Sequence, residues 1–409
     1  MEKIKVLLLS YDNKSGAGKL SERIYGCISS KVKCDYQYLI NHKKKYLSLT
    51  KIKSSEKFNN LKRKINRVLL RFNNDNNYSF KSPSIFPSYL SDEINKSKYD
   101  IIHITWINEF ISIEDLGKIT KPIVWSVCDM WPFNGYLHYS DDGKNAPWKL
   151  KNFDKSNFNL NKFNIYRKLK SWKKTNIFLS APCDWMVNCL RTSAIFHKSK
   201  IYKIPHPVNQ DIFKLLNKNK MRKKYNLPKK KILILFNCYN GVNDIRKGWK
   251  YFSNANNLTK SKYEIVIIGQ KKIKDFEHLS KKIYCFGKIK SETMVSEIIN
   301  CVDFVVIPSL MDNLPQVGLE AQSCGKPIIT FKNNGLKDLV RHKVDGYLAK
   351  KNNALSLAKG IDWTIKNNYR NKLSIKCLYK AKQLYNHEVV SEKYFTLYSK
   401  ILKNLRSKR

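Results

Sequence analysis

The chain has 409 residues, 42% of them hydrophobic, with 78 Lys and Arg against 32 Asp and Glu, a formal charge of +46. That length suits two cores of about 200 residues each, and the charge selects for polyanionic partners: nucleic acid, anionic lipid or phosphorylated substrate. No run approaches the roughly 18 consecutive apolar residues of a membrane span, and the run Val6–Tyr11 is too short and too soon followed by charge to be a signal peptide. The ten cysteines form no C-x-x-C and have no His at zinc-ligand spacing, so they read as reduced, mostly core thiols of a cytoplasmic protein.

The first stretch with chemical content is DNKSGAGKLSER, from Asp12 to Arg23. A Walker loop needs Gly where Asn13 stands and a hydroxyl where Leu20 stands. A dinucleotide fingerprint starts at Gly16 and Gly18 but ends in Ser21. What remains is an apolar strand, a glycine-bearing turn and a helix whose amides can face an anion.

Short β-rich runs then alternate with helix-length segments. They fall at 5–11, 34–40, 100–106, 122–130, 176–182 and 200–205, and again at 231–237, 263–269, 282–287, 303–309 and 326–331. Runs without polar alternation are the mark of buried parallel strands, and two sets imply two doubly wound, Rossmann-like α/β domains. The expected division is 1–207 and 208–385, with 386–409 a helix returning to the first domain through Val389, Tyr394, Leu397 and Leu402. Ligands of open parallel sheets bind beyond the carboxyl ends of the strands, so chemistry is expected in a cleft between the two domains.

The strongest motif is IPSLMDNLPQVGLEAQSCGKPIIT, which follows the run at 303–309. Asp312 and Asn313 can cap a helix with Pro315 in its first turn, and Gly325 with Pro327 end it. Glu320 lies eight residues after Asp312, about two turns along and on the same side. The plain alternative is that Gln316, Glu320 and Ser323 form a solvated stripe.

This segment resembles the signature of glycosyltransferase family 4, retaining nucleotide-sugar enzymes of the GT-B fold, whose motif is E-x7-E. The resemblance places Asp312 at the first acidic position, against the donor hexose, and Glu320 at the second, against the donor ribose, with Asn313 and Leu314 in the same donor loop. DIRKGWKYF resembles the family's basic segment, in which Lys247 binds donor phosphate, and Arg246 stands in for the family's missing Gly-Arg. The segments 100–108 and 121–141 are similar to bacterial envelope-polysaccharide members, except that Cys128-Asp129 replaces the usual His-Asp. His103 is the candidate imidazole that remains. In the same family the loop after the first strand lies near the donor diphosphate, which assigns Gly16 and Gly18 to donor binding.

What the resemblance implies is a metal-independent hexosyltransferase with retention of configuration. It uses a nucleoside-diphosphate sugar as donor substrate, no cofactor, and a saccharide acceptor of the lipid-linked kind used for O-antigen or capsule. No D-x-D occurs, so no divalent ion is required.

A second basic feature is NNLKRKINRVLLRF, where Leu61, Ile65, Val68, Leu69 and Phe72 share one helical face bordered by Lys62, Arg63, Lys64, Arg67 and Arg71. That pattern suits a helix lying on an anionic leaflet, here the inner face of the cytoplasmic membrane, or an ordinary helix with a basic outer face. The runs Lys43 to Lys45 and Lys229 to Lys231 favour the membrane surface. The rival reading, a basic nucleic-acid-binding protein on Rossmann-like domains, has no RRM, zinc-finger or helix-turn-helix signature behind it, so no nucleic acid is expected.

Overall fold

The structure, a computed structural model of the whole chain, describes residues 3–40, 64–66, 68, 70, 80–108, 110–155, 159–238, 244–269, 276, 279, 281–368 and 371–407. It divides into two compact units, residues 1–205 with 390–409 and residues 206–389.

The first unit holds six parallel strands: β1 (Lys5–Asp12), β2 (Lys33–Ile40), β3 (Ile101–Ile104), β4 (Ile123–Ser126), β5 (Ile177–Ala181) and β6 (Ile201–Lys203), in the order β2-β1-β3-β4-β5-β6. Strands β3 and β4 are buried along their whole length, as strands covered on both faces must be. The chain leaves β1 in opposite directions, so the switch point of this sheet lies between β1 and β3.

The C-terminal helix His387–Arg406 packs on this sheet. Its buried stripe is Val390, Tyr394, Leu397, Tyr398 and Ile401, joined to Val6, Leu8, Ile24, Ile28, Ile101 and Val124, with Leu402 partly buried beside it. Val389, expected in that stripe, is only half-buried, because the helix presents the 390-394-397-401 row to the sheet.

After β4 a long loop buries Trp131, Phe133, Tyr136 and Trp148. Lys168 clamps it from behind, donating to the carbonyls of Trp131, Asn134 and Gly135 while its ammonium lies 3.8 Å from the Trp131 ring centre. Complete burial drives this ammonium's pKa well below the usual lysine value, Asp129 pulling the other way.

The second unit also holds six parallel strands: β7 (Leu233–Asn237), β8 (Glu264–Ile268), β9 (Ile283–Cys285), β10 (Phe304–Ile307), β11 (Ile328–Phe331) and β12 (Gly346–Ala349), in the order β12-β11-β10-β7-β8-β9. Its switch point lies between β7 and β10. Each of the eleven expected runs carries a strand; β12 was not expected, being four residues that start with glycine. No disulfide joins any of the ten cysteines, and seven of them are buried. Among the described residues no helix is long and apolar enough to cross a membrane.

Candidate active site

At the switch point of the second sheet, the turn after β7 and the loop after β10 are pressed together. Asp244 accepts from the amide of Arg246 (3.1 Å), and the Arg246 carbonyl accepts from the amide of Leu310 (2.8 Å). Gly248 follows at φ +73°, and a Cβ there would lie 1.8 Å from the Pro308 carbonyl oxygen, so only glycine allows this approach. The helix Trp249–Leu258 begins directly behind the turn, with no side-chain cap on its first amides.

This approach brings together residues far apart in sequence. The Lys247 ammonium lies 2.9 Å from Asp312 Oδ2, and an Arg246 guanidinium nitrogen lies 3.6 Å from the same oxygen. Asp312 is 7% exposed. Burial works to raise its carboxyl pKa, but Lys247 and Arg246, with the Asn313 amide 3.1 Å from Oδ1, hold it below the usual carboxylate value. The group is an ionised acid between two cations.

Asp312 and Asn313 do not cap the following helix, as the sequence suggested. The helix Gln316–Ser323 starts behind Pro315 with no side-chain cap, because the Asp312 carboxylate is turned to the basic turn instead. The solvated stripe is absent too: Glu320 and Ser323 are 8% and 5% exposed, and only Gln316 is half-buried. Asn313 and Leu314 are likewise buried. The loop they occupy is held from the β11 side, where Asn333 Nδ2 donates to the Leu310 carbonyl (2.7 Å) and the Gly335 amide to that of Asp312 (3.2 Å).

Sequence reasoning missed three further groups. Asn237, Ser309 and Asn333 stand at or just past the carboxyl ends of β7, β10 and β11. Asn237 Oδ1, Ser309 Oγ and Asn333 Oδ1 are buried without a hydrogen-bond partner among the described residues. Buried polar atoms normally have partners, so these three are candidate acceptors at the same end of the sheet as Arg246, Lys247 and Asp312. Their only signal in the sequence is a polar residue at the end of an apolar run.

In the first unit the expectations fare differently. Three of the glycine loop's amides are engaged within the loop: Asp12 Oδ1 accepts from Lys14 (2.8 Å) and Ser15 (2.7 Å), and Ser15 Oγ accepts from Gly18 (3.0 Å). A Cβ on Gly18 would lie 2.4 Å from Asp12 Oδ1, so this glycine makes room for the Asp12 carboxylate rather than for a phosphate. Gly16 begins the helix with open space where its Cβ would be.

His103 is a second correction. It is fully buried beneath the C-terminal helix, with Nδ1 2.6 Å from the Tyr398 hydroxyl and Nε2 2.7 Å from Ser126 Oγ. Burial lowers its pKa to about 3, which leaves a neutral ring with both nitrogens engaged and none to offer a ligand. Cys128, at the family's usual His position, is half-buried and its thiol is pushed up by burial and by Asp129, so it supplies no ionisable replacement near neutral pH.

Of the basic helix, Lys62, Arg63, Arg67 and Arg71 lie outside the described residues. Residues 64–66 are helical, and Lys64 is exposed, as are Ile65 (39%) and Val68 (51%) of the apolar stripe.

Residues 217–383, which span the turn, the motif helix and the strands between, match the family described as Glycosyl transferases group 1. A stretch of 166 residues is 26% identical to N,N'-diacetylbacillosaminyl-diphospho-undecaprenol alpha-1,3-N-acetylgalactosaminyltransferase of Campylobacter jejuni, covering 39% of this chain and 43% of that protein. Over 334 residues the chain is 25% identical to the UDP-Gal:alpha-D-GlcNAc-diphosphoundecaprenol alpha-1,3-galactosyltransferase of Escherichia coli, covering 73% and 78% of the two. The chain thus spans less than half the length of the Campylobacter relative and over three quarters of the Escherichia one. Among solved structures, sucrose-phosphate synthase from Thermosynechococcus elongatus superposes with a TM-score of 0.68 over 98% of this chain and all of its own, at 14% identity. The two six-stranded parallel sheets are therefore those of the GT-B fold, and residues 217–383 are similar to its group 1 glycosyltransferases.

Proposed function

We propose that this chain is a retaining glycosyltransferase of family 4. It moves a sugar from a nucleoside diphosphate to a lipid-linked saccharide, without a metal ion or other cofactor, in the assembly of a bacterial surface polysaccharide such as O-antigen or capsule. The observation that carries this reading is the contact of Lys247 and Arg246 with Asp312 at the switch point between β7 and β10. Departure of a nucleoside diphosphate builds negative charge on its phosphates, and two fixed cations stabilise that charge. A bound diphosphate competes with Asp312 for Lys247 and Arg246 and turns the Asp312 carboxylate toward the hexose hydroxyls. Glu320, on the rigid helix behind, accepts from two ribose hydroxyls. The unpartnered oxygens of Asn237, Ser309 and Asn333 supply further acceptors for the donor.

The acceptor class rests on the two curated relatives, both of which bear names for transfer to undecaprenol-linked diphospho-sugars. Such an acceptor is embedded in a bilayer. Exposed Ile65, Val68 and Lys64, and the exposed run Lys229 to Lys231, suit peripheral attachment to the anionic inner face of the cytoplasmic membrane. The test is a thermal-shift screen against UDP, GDP, ADP and their sugars, followed by NMR of the product's anomeric configuration with and without chelator. A ligand of the native state raises the melting temperature by mass action. No shift with any nucleotide overturns the proposal; an inverted product or a chelator-sensitive rate overturns its mechanism.

A further inference from the structure

Next to the switch point of the first sheet, past the carboxyl ends of β3 and β4, Asp129 is built into a network of its own. Its Oδ2 accepts from Trp106 Nε1 (3.0 Å) and His138 Nδ1 (2.6 Å), and its Oδ1 accepts from the Trp131 amide (3.0 Å). His138 Nε2 lies 2.9 Å from both Asn108 Nδ2 and Ser82 Oγ. The Asp129 carboxylate can only accept, so His138 Nδ1 is the donor in that bond.

The whole arrangement is held still. The Met130 amide donates to the His138 carbonyl (2.9 Å), the His138 amide to that of Phe80 (3.3 Å), and Lys168 clamps the carbonyls of Trp131, Asn134 and Gly135.

Three donors leave Oδ1 of Asp129 one acceptor direction, and the side chain keeps a tenth of its surface exposed. Aromatic rings stand around it. Tyr11 and Trp106 meet edge to face at 5.4 Å, both half-buried, and Phe80, 40% exposed, stands edge-on to His138 at 6.2 Å. A carboxylate with one open lone pair, fixed beside half-exposed aromatic rings next to a sheet's switch point, is suited to a sugar ring. The apolar face of the ring packs on the aromatics, and a hydroxyl donates to the carboxylate.

We infer that Asp129 receives a hydroxyl of the acceptor saccharide against the Tyr11–Trp106 rings. His138 is the positioning residue that fixes the carboxylate's rotamer with its open lone pair outward. The class of ligand rests on the transferase reading of the second unit.

The test uses the full chain without any donor, so that it is independent of that reading. Saturation-transfer NMR is run with methyl glycosides of glucose, galactose and N-acetylglucosamine. Wild type should bind at least one of them. Asp129→Asn and His138→Leu should each weaken it about tenfold, the cost of one charge-assisted hydrogen bond. His138→Asn, which keeps an N–H donor near Nδ1, should restore binding to within about threefold of wild type.

The Trp106 indole N–H resonance, set by its bond to Asp129, should move in His138→Leu and return in His138→Asn. Wild-type silence toward all three glycosides, unchanged binding in Asp129→Asn, or a His138→Leu variant that loses melting temperature but not affinity overturns the inference. Failure of the transferase reading would show separately, in the absence of any nucleotide shift.

Discussion

The ammonium of Lys247 and the carboxylate of Asp312 meet at 2.9 Å although 65 residues separate them. Because burial opposes charge on Asp312 and the neighbouring cations restore it, the pair is a balance that removal of one partner upsets.

Lys247→Ala should therefore slow turnover by roughly 2 to 4 kcal/mol in the barrier, and Lys247→Arg by less, because the charge facing the leaving diphosphate survives in arginine. Steady-state kinetics within about threefold of wild type for the alanine variant would place Lys247 away from the phosphate. The sign of the pH effect follows from the lowered carboxyl. The stability it contributes is full above the carboxyl's unfolded value and is lost as pH falls through its lower folded value. In Lys247→Ala, where Arg246 alone opposes burial, that loss should be smaller and complete at a higher pH in an acid titration of unfolding.

Glu320→Gln conserves volume at a buried helical position but leaves one acceptor oxygen where there were two, and no charge. It should shrink the nucleotide-induced thermal shift and cut turnover while the ligand-free melting point stays close to wild type. Unaltered kinetics would reduce Glu320 to a packing role.

The His103 contact with Tyr398 should matter for stability and not for chemistry. Tyr398→Phe leaves His103 Nδ1 buried without its partner, a loss of about 1 to 3 kcal/mol in urea unfolding. Turnover per folded molecule should hold. With the folded ring's pKa lowered to about 3 from 6.5, the unfolded chain binds the extra proton between those values, so stability rises with pH across that window. His103→Leu should flatten the slope. A variant that loses turnover at wild-type stability would return His103 to the catalytic machinery.

Exchange of Lys62, Arg63, Arg67 and Arg71 for Gln should release the protein from vesicles containing anionic lipid. Four charges at about 1 kcal/mol each amount to roughly three decades of partitioning. Raised salt should mimic the exchange in wild type, since the attraction decays within about 8 Å at physiological ionic strength. Equal sedimentation of variant and wild type, or none of either, removes the membrane from the proposal and leaves the +46 charge to be accounted for otherwise.

The strands were legible in the sequence because burial on both faces writes itself locally, as runs such as LILF and FVVI. Strand β12 was not, since Gly346–Ala349 is a strand only by virtue of its pairing with Ile328–Phe331. The acidic pair Asp312 and Glu320 and the basic turn at Arg246 and Lys247 were likewise visible as residue types at spacings.

What each of those residues does to the others was not visible. A cap for its own helix was the local solution for Asp312; strand order put β10 beside β7 and offered two cations instead. Gly18 resembled a phosphate loop until Asp12 filled the space above it, and His103 resembled a site residue until the C-terminal helix, nearly 300 positions later, covered it with Tyr398. Periodicity and spacing record which face of an element is apolar. The partner of a polar side chain depends on which distant element the topology sets against it, and that is decided only when the sheets assemble.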